Sequence, residues 1–204
     1  MPRVHRVLHV EPGDGFWGPK CFIVMDYIQG TCLSACWAGL DEASRSSVAS
    51  QVAAMIQEME SMTLEVPGPV GGENRSRGVW FSDYGAGPFY TLQGLESWFN
   101  HKLDICERYK QAIEGTPRFK FHKLVLTHQD ITPRNLILDE SGRVWLIDWA
   151  HAGAYPPGFE RAALEHQRTF ADFSAAVCEK ITAYPVVTMQ LQSIMYGLTT
   201  AALA

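Results

Sequence analysis

The chain has 204 residues, 47% of them hydrophobic and 19% charged, with a formal net charge of −5. That composition suits one domain with a sizeable core, or two small lobes, and excludes a disordered chain. It lacks the basic excess of a nucleic-acid binder, and no apolar run reaches membrane-spanning length, so no nucleic-acid or membrane partner is expected.

Residues 4–10, VHRVLHV, and 21–28, CFIVMDYI, read as two antiparallel strands. The segment between them, EPGDGFWGPK, carries Gly13-x-Gly15-x-x-Gly18, the spacing of a phosphate-cradling loop. A dinucleotide loop must open a helix, whereas this one runs into CFIVMDYI, a strand. A protein-kinase loop does join two strands, but it needs a lysine on the next strand and a glutamate on a later helix. Lys20 stands too close to the glycines, and the following TCLSACWAGL has no lysine. The expectation is a turn.

Asp41 is placed to cap a helix whose Val48, Val52, Met55, Ile56, Met59 and Met62 recur at helical spacing as a core stripe. Residues 64–90 read as a long ordered loop able to wrap a site. Thr91 can cap the next helix, with Leu95, Trp98, Phe99, Leu103, Cys106, Tyr109 and Ile113 on one face. Two or three further helices are expected over 158–204, and there is no internal repeat. The apolar C-terminal stretch carries Gln190, Gln192 and Ser193, which favours a core helix over a membrane anchor. Cys21, Cys32, Cys36, Cys106 and Cys178 are odd in number and show no C-x-x-C spacing, so reduced, mostly buried thiols of a cytoplasmic protein are expected. The start, MPRVHRVLHV, has no secretory apolar region.

Residues 124–149, LVLTHQDITPRNLILDESGRVWLIDW, carry the chemistry. Leu124–Leu126 is a short buried strand. A polar loop with His128, Asp130, Arg134 and Asn135 follows, and LILD and RVWLI then form two strands around Glu140-Ser141-Gly142. The hairpin places Asn135 and Asp148 at one end of the ribbon, with Asp130 in the loop feeding that end. An amide oxygen and a carboxylate suit a hard cation such as Mg²⁺, which also takes phosphate oxygens. A separate aspartate can then accept a proton from an attacking hydroxyl. Structural readings stand beside these: Asp130 and Asn135 can satisfy loop backbone, and Asp148 can cap a turn. For His128 an internal hydrogen bond to the loop backbone leads over catalysis. His122 and His151 are expected at the surface or a pocket rim. Trp80, Trp98 and Trp145 are expected in the core, with Trp149 beside Asp148 able to face a pocket.

The pattern H-x-D-x-x-x-x-N at His128, Asp130 and Asn135, followed by I-D-W with Asp148, resembles the aminoglycoside phosphotransferase and choline-kinase-like branch of the protein-kinase fold. The resemblance runs over about residues 4–165, where CFIVMDYIQG looks like the last ATP-lobe strand and hinge. It implies an α+β, protein-kinase-like fold: a mostly helical C-lobe over 31–204, and a small antiparallel remnant of the N-lobe sheet with the hinge over 1–30. It further implies Asp130 as general base, with His128 bracing the loop. Asn135 and Asp148 would hold Mg²⁺, the backbone of Asp26, Tyr27 and Ile28 would meet adenine, and Trp149, His151, Tyr155 and Glu160 would line the acceptor pocket. Relatives begin with three more strands and a helix bearing the phosphate loop, its lysine and the partner glutamate, and this sequence starts after them. Many relatives also carry an acidic residue at the position of Ala150. The leading expectation is therefore a small-molecule site repurposed for ATP-independent acid–base chemistry by Asp130 with His128 or Asp148. The alternatives are an O-phosphotransferase using Mg·ATP and a non-catalytic pseudokinase. A homodimer covering the exposed cleft is also expected.

Overall fold

The computed structural model describes residues 2–9, 21–71, 75–82 and 84–203. The glycine motif at Gly13, Gly15 and Gly18 lies outside the described residues. Strand β1 (Val4–His9) and strand β2 (Cys21–Met25) form an antiparallel ribbon, with Leu8 opposite Phe22 and Val4 opposite Met25. Strand β2 ends three residues earlier than its apolar run. There the Asp26 carboxylate turns back to accept from the Arg3 backbone N–H at 2.9 Å and meets the His5 ring at 2.6 Å. The Arg3 bond, then that of His5, holds the Asp26 carboxyl below its ordinary value. Val7, Leu8, Phe22, Ile23 and Val24 are exposed on this ribbon.

The chain then enters β3 (Gly30–Cys32), α1 (Leu33–Cys36), a 3-10 turn at Trp37–Gly39, and α2 (Glu42–Ser61). The Asp41 side chain caps α2 by accepting from the Ser44 N–H at 2.8 Å. Val48, Val52, Ile56 and Met59 are buried along that helix, while Met62, past its end, is exposed. Strands β4 (Thr63–Leu64) and β5 (Gly68–Pro69) follow, where sequence reading expected only loop. Their two-residue length leaves no periodicity to detect, and an isolated bridge between Ser76 and Ala86 ties the remainder of that stretch. Thr91 caps α3 (Leu92–Arg108) by accepting from the Gly94 N–H at 3.0 Å. Lys110 turns left-handed just beyond α3, and Tyr109 and Ile113 are exposed instead of continuing the buried face.

Next come β6 (Leu124–Thr127), β7 (Leu136–Asp139), β8 (Val144–Leu146) and β9 (Gly153–Tyr155). The helices α4 (Phe159–His166), α5 (Ala171–Cys178), α6 (Pro185–Ser193) and α7 (Met195–Leu198) complete the chain. One sheet runs β3-β7-β8 and another β4-β6-β9-β5. The β7–β8 turn closes on the Asp139 carboxylate, which accepts from the backbone N–H of Ser141 and of Arg143, each at 2.9 Å.

Two cores flank the β6–β7 connection. One is aromatic, built on Trp80, Phe99, Phe119, Tyr155 and Phe159. The other is largely aliphatic, built on Leu33, Val52, Ile56, Ile131, Leu136 and Phe173. Cys106 and Cys178 are buried and Cys32 and Cys36 half-buried, all as free thiols. Among the described residues no helix is long and apolar enough to cross a membrane.

Strand β9 is pressed tightly to its neighbours. A Cβ at Gly153 would sit 2.5 Å from the Gly68 carbonyl oxygen and also strike the Tyr155 ring. Gly153→Ala is expected to destabilise the fold by about 1–3 kcal/mol, the usual cost of overpacking, read as a lowered urea midpoint. An unchanged midpoint would show that the β5–β9 contact yields freely.

Candidate active site

Strand β6 delivers the chain into a tight polar loop, residues 128–135, which β7 then carries away. Gln129 adopts φ +64°, a left-handed conformation unusual for a residue with a Cβ. The loop is held from below by Glu160, in the first turn of α4 and only 1% exposed. Its Oε2 accepts from the His128 N–H at 2.5 Å and from the Gln129 N–H at 2.9 Å. Its other oxygen, Oε1, has no hydrogen-bond partner among the described residues. Burial pushes this carboxyl up to about 7, against the pull of the two N–H donors.

His128 is fully buried, and its ring joins two segments. Nδ1 accepts from the Asp130 N–H at 3.3 Å, which leaves Nε2 carrying the proton and donating to the Ile147 carbonyl at 3.0 Å. Burial lowers its pKa, so the ring stays neutral. The ring thus makes the internal hydrogen bonds to backbone that the structural reading of the sequence expected. Trp149 packs edge-on against it, with centroids 4.9 Å apart. That tryptophan belongs to the margin of the aliphatic core and lines neither cavity described below.

Asn135 points its amide nitrogen inward, donating to the Asp130 carbonyl at 2.9 Å and to Asp130 Oδ2 at 2.8 Å. The Ile147 N–H donates to the Asn135 carbonyl at 3.0 Å, and Leu136 pairs with Leu146, so Asn135 and Asp148 occupy the same end of the hairpin. Asp148 has φ +61° and is exposed, and its carboxylate has no hydrogen-bond partner among the described residues. The inward-turned nitrogen leaves Asn135 Oδ1 uncommitted at the hairpin end that Asp148 shares.

One cavity adjoins the loop, and a second lies beyond it. The first, about 180 Å³, is lined by Gln129, Asp130, Thr132, Arg134, His166 and Gln167 among others. The second, about 510 Å³, is lined by Arg75, Arg77, Ala150, His151 and Tyr155 with part of β5. They approach each other at Gly78, where a Cβ would stand 3.5 Å from Gln129 Oε1 and 3.6 Å from the His151 Cβ. In the larger cavity burial raises the Tyr155 phenol to about 12, and nearby Ser76 offsets part of that rise. The two hydroxyls are not in hydrogen-bonding geometry with each other or with any described group.

Of the residues expected around an acceptor, His151 and Tyr155 do line a cavity, whereas Glu160 lies beneath the loop. Asp26, Tyr27 and Ile28 follow the outlying ribbon, with Tyr27 87% exposed. Gln129, Thr132, Gln167, Arg75 and Arg77 escape sequence reading. Polar residues scattered over three segments carry no periodic or spacing signal, and only folding gathers them.

A model of the phosphotransferase enzyme family matches residues 1–177. No curated protein matches the sequence. Among solved structures, the GDP complex of an aminoglycoside 2'-phosphotransferase IIIa variant aligns with a TM-score of 0.56 at 14% identity, covering 95% of this chain and 64% of that one. The gentamicin complex of APH(2")-IIa aligns at 0.52 and 16% identity, over 96% of this chain and 67% of the other. The apo form of a thermostable variant of aminoglycoside phosphotransferase APH(4)-Ia gives 0.54 and 18%, over 97% and 68%. The chain thus spans about two thirds of the length of each, and at these identities the likeness is one of fold.

The Glu160 tether makes stability depend on pH. Its folded pKa of about 7 lies above the ordinary carboxyl value of 4.5, so between those values the folded state holds more protons than the unfolded state. The Glu160 contribution is therefore fully present below 4.5 and is lost as pH rises through 7. His128, kept neutral by burial, acts in the opposite sense in the same window, so the test is a difference. Urea unfolding of wild type and Glu160→Gln across this range is expected to show the variant gaining on the wild type as pH rises. A constant gap would mean that the carboxyl is ionised throughout.

Proposed function

The chain belongs to the phosphotransferase enzyme family, and from that membership we propose that it transfers a phosphoryl group from a nucleotide to a hydroxyl of a small molecule. The observation that carries this reading is the orientation of Asn135. Its nitrogen fixes Asp130 through two hydrogen bonds, which leaves its oxygen uncommitted at the hairpin end that also carries the exposed Asp148. Acid–base chemistry alone would use Asp130 and has no need of that second pair of oxygens. Phosphoryl transfer needs both sets.

The donor set fits a magnesium ion. One amide oxygen and one carboxylate form an open, hard-oxygen site of the kind that leaves places for water and phosphate. When bound, such an ion neutralises charge on the transferring phosphate. Asp130 accepts the proton of the attacking hydroxyl as its oxygen bonds to phosphorus and the bond to the nucleotide's leaving oxygen breaks. The His128 ring accepts from the Asp130 backbone N–H and bonds the Ile147 carbonyl through its other nitrogen, so both nitrogens are engaged and the ring positions Asp130. The segment Asp26–Ile28, leaving β2 with Tyr27 turned outward, would meet the nucleotide base through its backbone. One of the structural relatives was solved with GDP, so guanine and adenine nucleotides are both candidate donors.

Isothermal titration with ATP and with GTP is expected to give binding that strengthens with Mg²⁺, and Asp148→Asn is expected to remove that dependence. Asp130→Asn is expected to leave nucleotide binding intact while lowering transfer to a panel of hydroxylated acceptors, followed by phosphorus NMR, by roughly 10²–10⁴-fold. Nucleotide affinity indifferent to Mg²⁺ would sink the reading. Turnover of an acceptor without nucleotide, lost in Asp130→Ala, would establish ATP-independent acid–base chemistry in its place.

A further inference from the structure

We infer that the chain at Arg77 and Gly78 is a movable cover over Gln129, and that when it bows outward the two cavities on either side of it become one. Gly78 is the point where they approach: a Cβ there would stand 3.5 Å from Gln129 Oε1 and 3.6 Å from the His151 Cβ. Arg77 lines the larger cavity and Val79 the smaller. With the cover down, Asp130 shares a space of about 180 Å³. With it raised, that space runs on into the 510 Å³ beside His151 and Tyr155. Resting on Asp130 as the proton acceptor, the cover thereby sets the size of the acceptor molecule that is admitted.

The closed cover is poorly held. Beneath it, both amide atoms of Gln129 are buried and have no hydrogen-bond partner among the described residues, and the residue is 3% exposed. A buried amide left unpaired costs the full desolvation of its groups, and native interiors rarely keep one. The cover offers nothing in return, because Gly78 has no side chain and that of Val79 is apolar. Gln129 also carries the left-handed φ of +64°, so its closed position is strained as well as unpaired. Above it, Gly78 has φ +120°, in a region that glycine alone enters freely, and glycine is the residue best able to change its backbone angles. Among the described residues the backbone N–H groups of Arg77, Gly78 and Val79 donate no hydrogen bond, and the Gly78 carbonyl accepts one, from the Phe81 N–H at 3.0 Å. The flanks are fixed. Ser76 exchanges two backbone bonds with Ala86, at 2.8 and 2.9 Å, and the fully buried Trp80 donates from Nε1 to the Phe159 carbonyl at 3.0 Å. A span with so few bonds between two anchored ends opens locally without unfolding the rest.

Gln129→Cys puts a thiol directly under Gly78. Labelling the native variant with iodoacetamide, read peptide by peptide by mass spectrometry, measures how often the cover lifts. Cys106, fully buried in the aromatic core, is the internal standard for global unfolding. Each rate is divided by that of the same thiol in the urea-unfolded chain, which removes differences in intrinsic reactivity. The introduced thiol is expected to react at least about tenfold faster than Cys106, the mark of a local opening. Adding Gly78→Ala strains the closed cover at its positive φ, and should raise the rate at position 129 by a further factor of about ten while Cys106 changes less. In the otherwise unaltered chain, Gln129→Met removes the unpaired amide at nearly equal volume and is expected to raise the urea midpoint. Labelling at the Cys106 rate would show that position 129 is reached only when the whole fold opens. Equal acceleration of both thiols by Gly78→Ala would put the strain in the fold and not in the cover. A Gln129→Met midpoint below that of the wild type would show that the amide is paired in solution. Each of these overturns the inference. No nucleotide or acceptor enters the measurements, so their outcome is independent of whether the chain transfers phosphate.

Discussion

A single buried carboxylate sets the geometry of the catalytic loop. Glu160 is withdrawn from water and spends one oxygen on two consecutive backbone N–H groups, those of His128 and Gln129. Burying a charge is costly unless it is hydrogen-bonded. Charge-assisted bonds of this kind offset about 1.5–3 kcal/mol each, and the carboxyl meets the remaining cost by rising toward neutrality. In return the left-handed turn at Gln129, a conformation that costs about 1–3 kcal/mol unsupported, is fixed by its own N–H. Remove the acceptor and nothing on that face keeps two adjacent N–H groups pointing the same way.

From that anchor the hydrogen bonds run in a circuit. The loop backbone meets Glu160, the His128 ring reaches the Ile147 carbonyl, the Ile147 N–H returns to the Asn135 carbonyl, and the Asn135 amide closes on Asp130. The circuit leaves Asp130 Oδ1, Asn135 Oδ1 and the Asp148 carboxylate uncommitted. The two cores make the circuit rigid. Helix α4 contributes Phe159 and Ala162 to the aromatic cluster and Leu164 to the aliphatic one, so the residue that holds the loop rides on the element that joins both.

Legibility in the sequence followed the range of the interactions. Asp41 and Thr91 act on N–H groups three residues away, and both caps were readable as such. The β7–β8 hairpin, with Gly142 at φ +80°, was equally local, and it places Asn135 opposite Ile147, at the end that carries Asp148. The role of Glu160 was not readable. It lies 32 residues from His128, and a glutamate in a first helical turn ordinarily signals an exposed, dipole-compatible charge. The short strands β4 and β5 were hidden for a related reason, since their pairing is decided by β6 and β9 and not by their own two residues each. The lining of the cavities was equally invisible, because Arg75 and Arg77 meet His151, and Gln129 meets His166 and Gln167, only in three dimensions.

The left-handed Asp148 resolves a conflict that the sequence alone poses. A strand continuing past Leu146 would send Ile147, Asp148 and Trp149 to alternating faces, and a charged residue would fall between two apolar ones at a core edge. A single residue at φ +61° ends the alternation. Asp148 is exposed to solvent, while Trp149 folds back onto the His128 ring and the aliphatic core. Aspartate tolerates this conformation better than branched residues because its short polar side chain is compatible with it. The residue type that can bind a cation is thus also one that can make the turn, so conformation and chemistry constrain the same position independently.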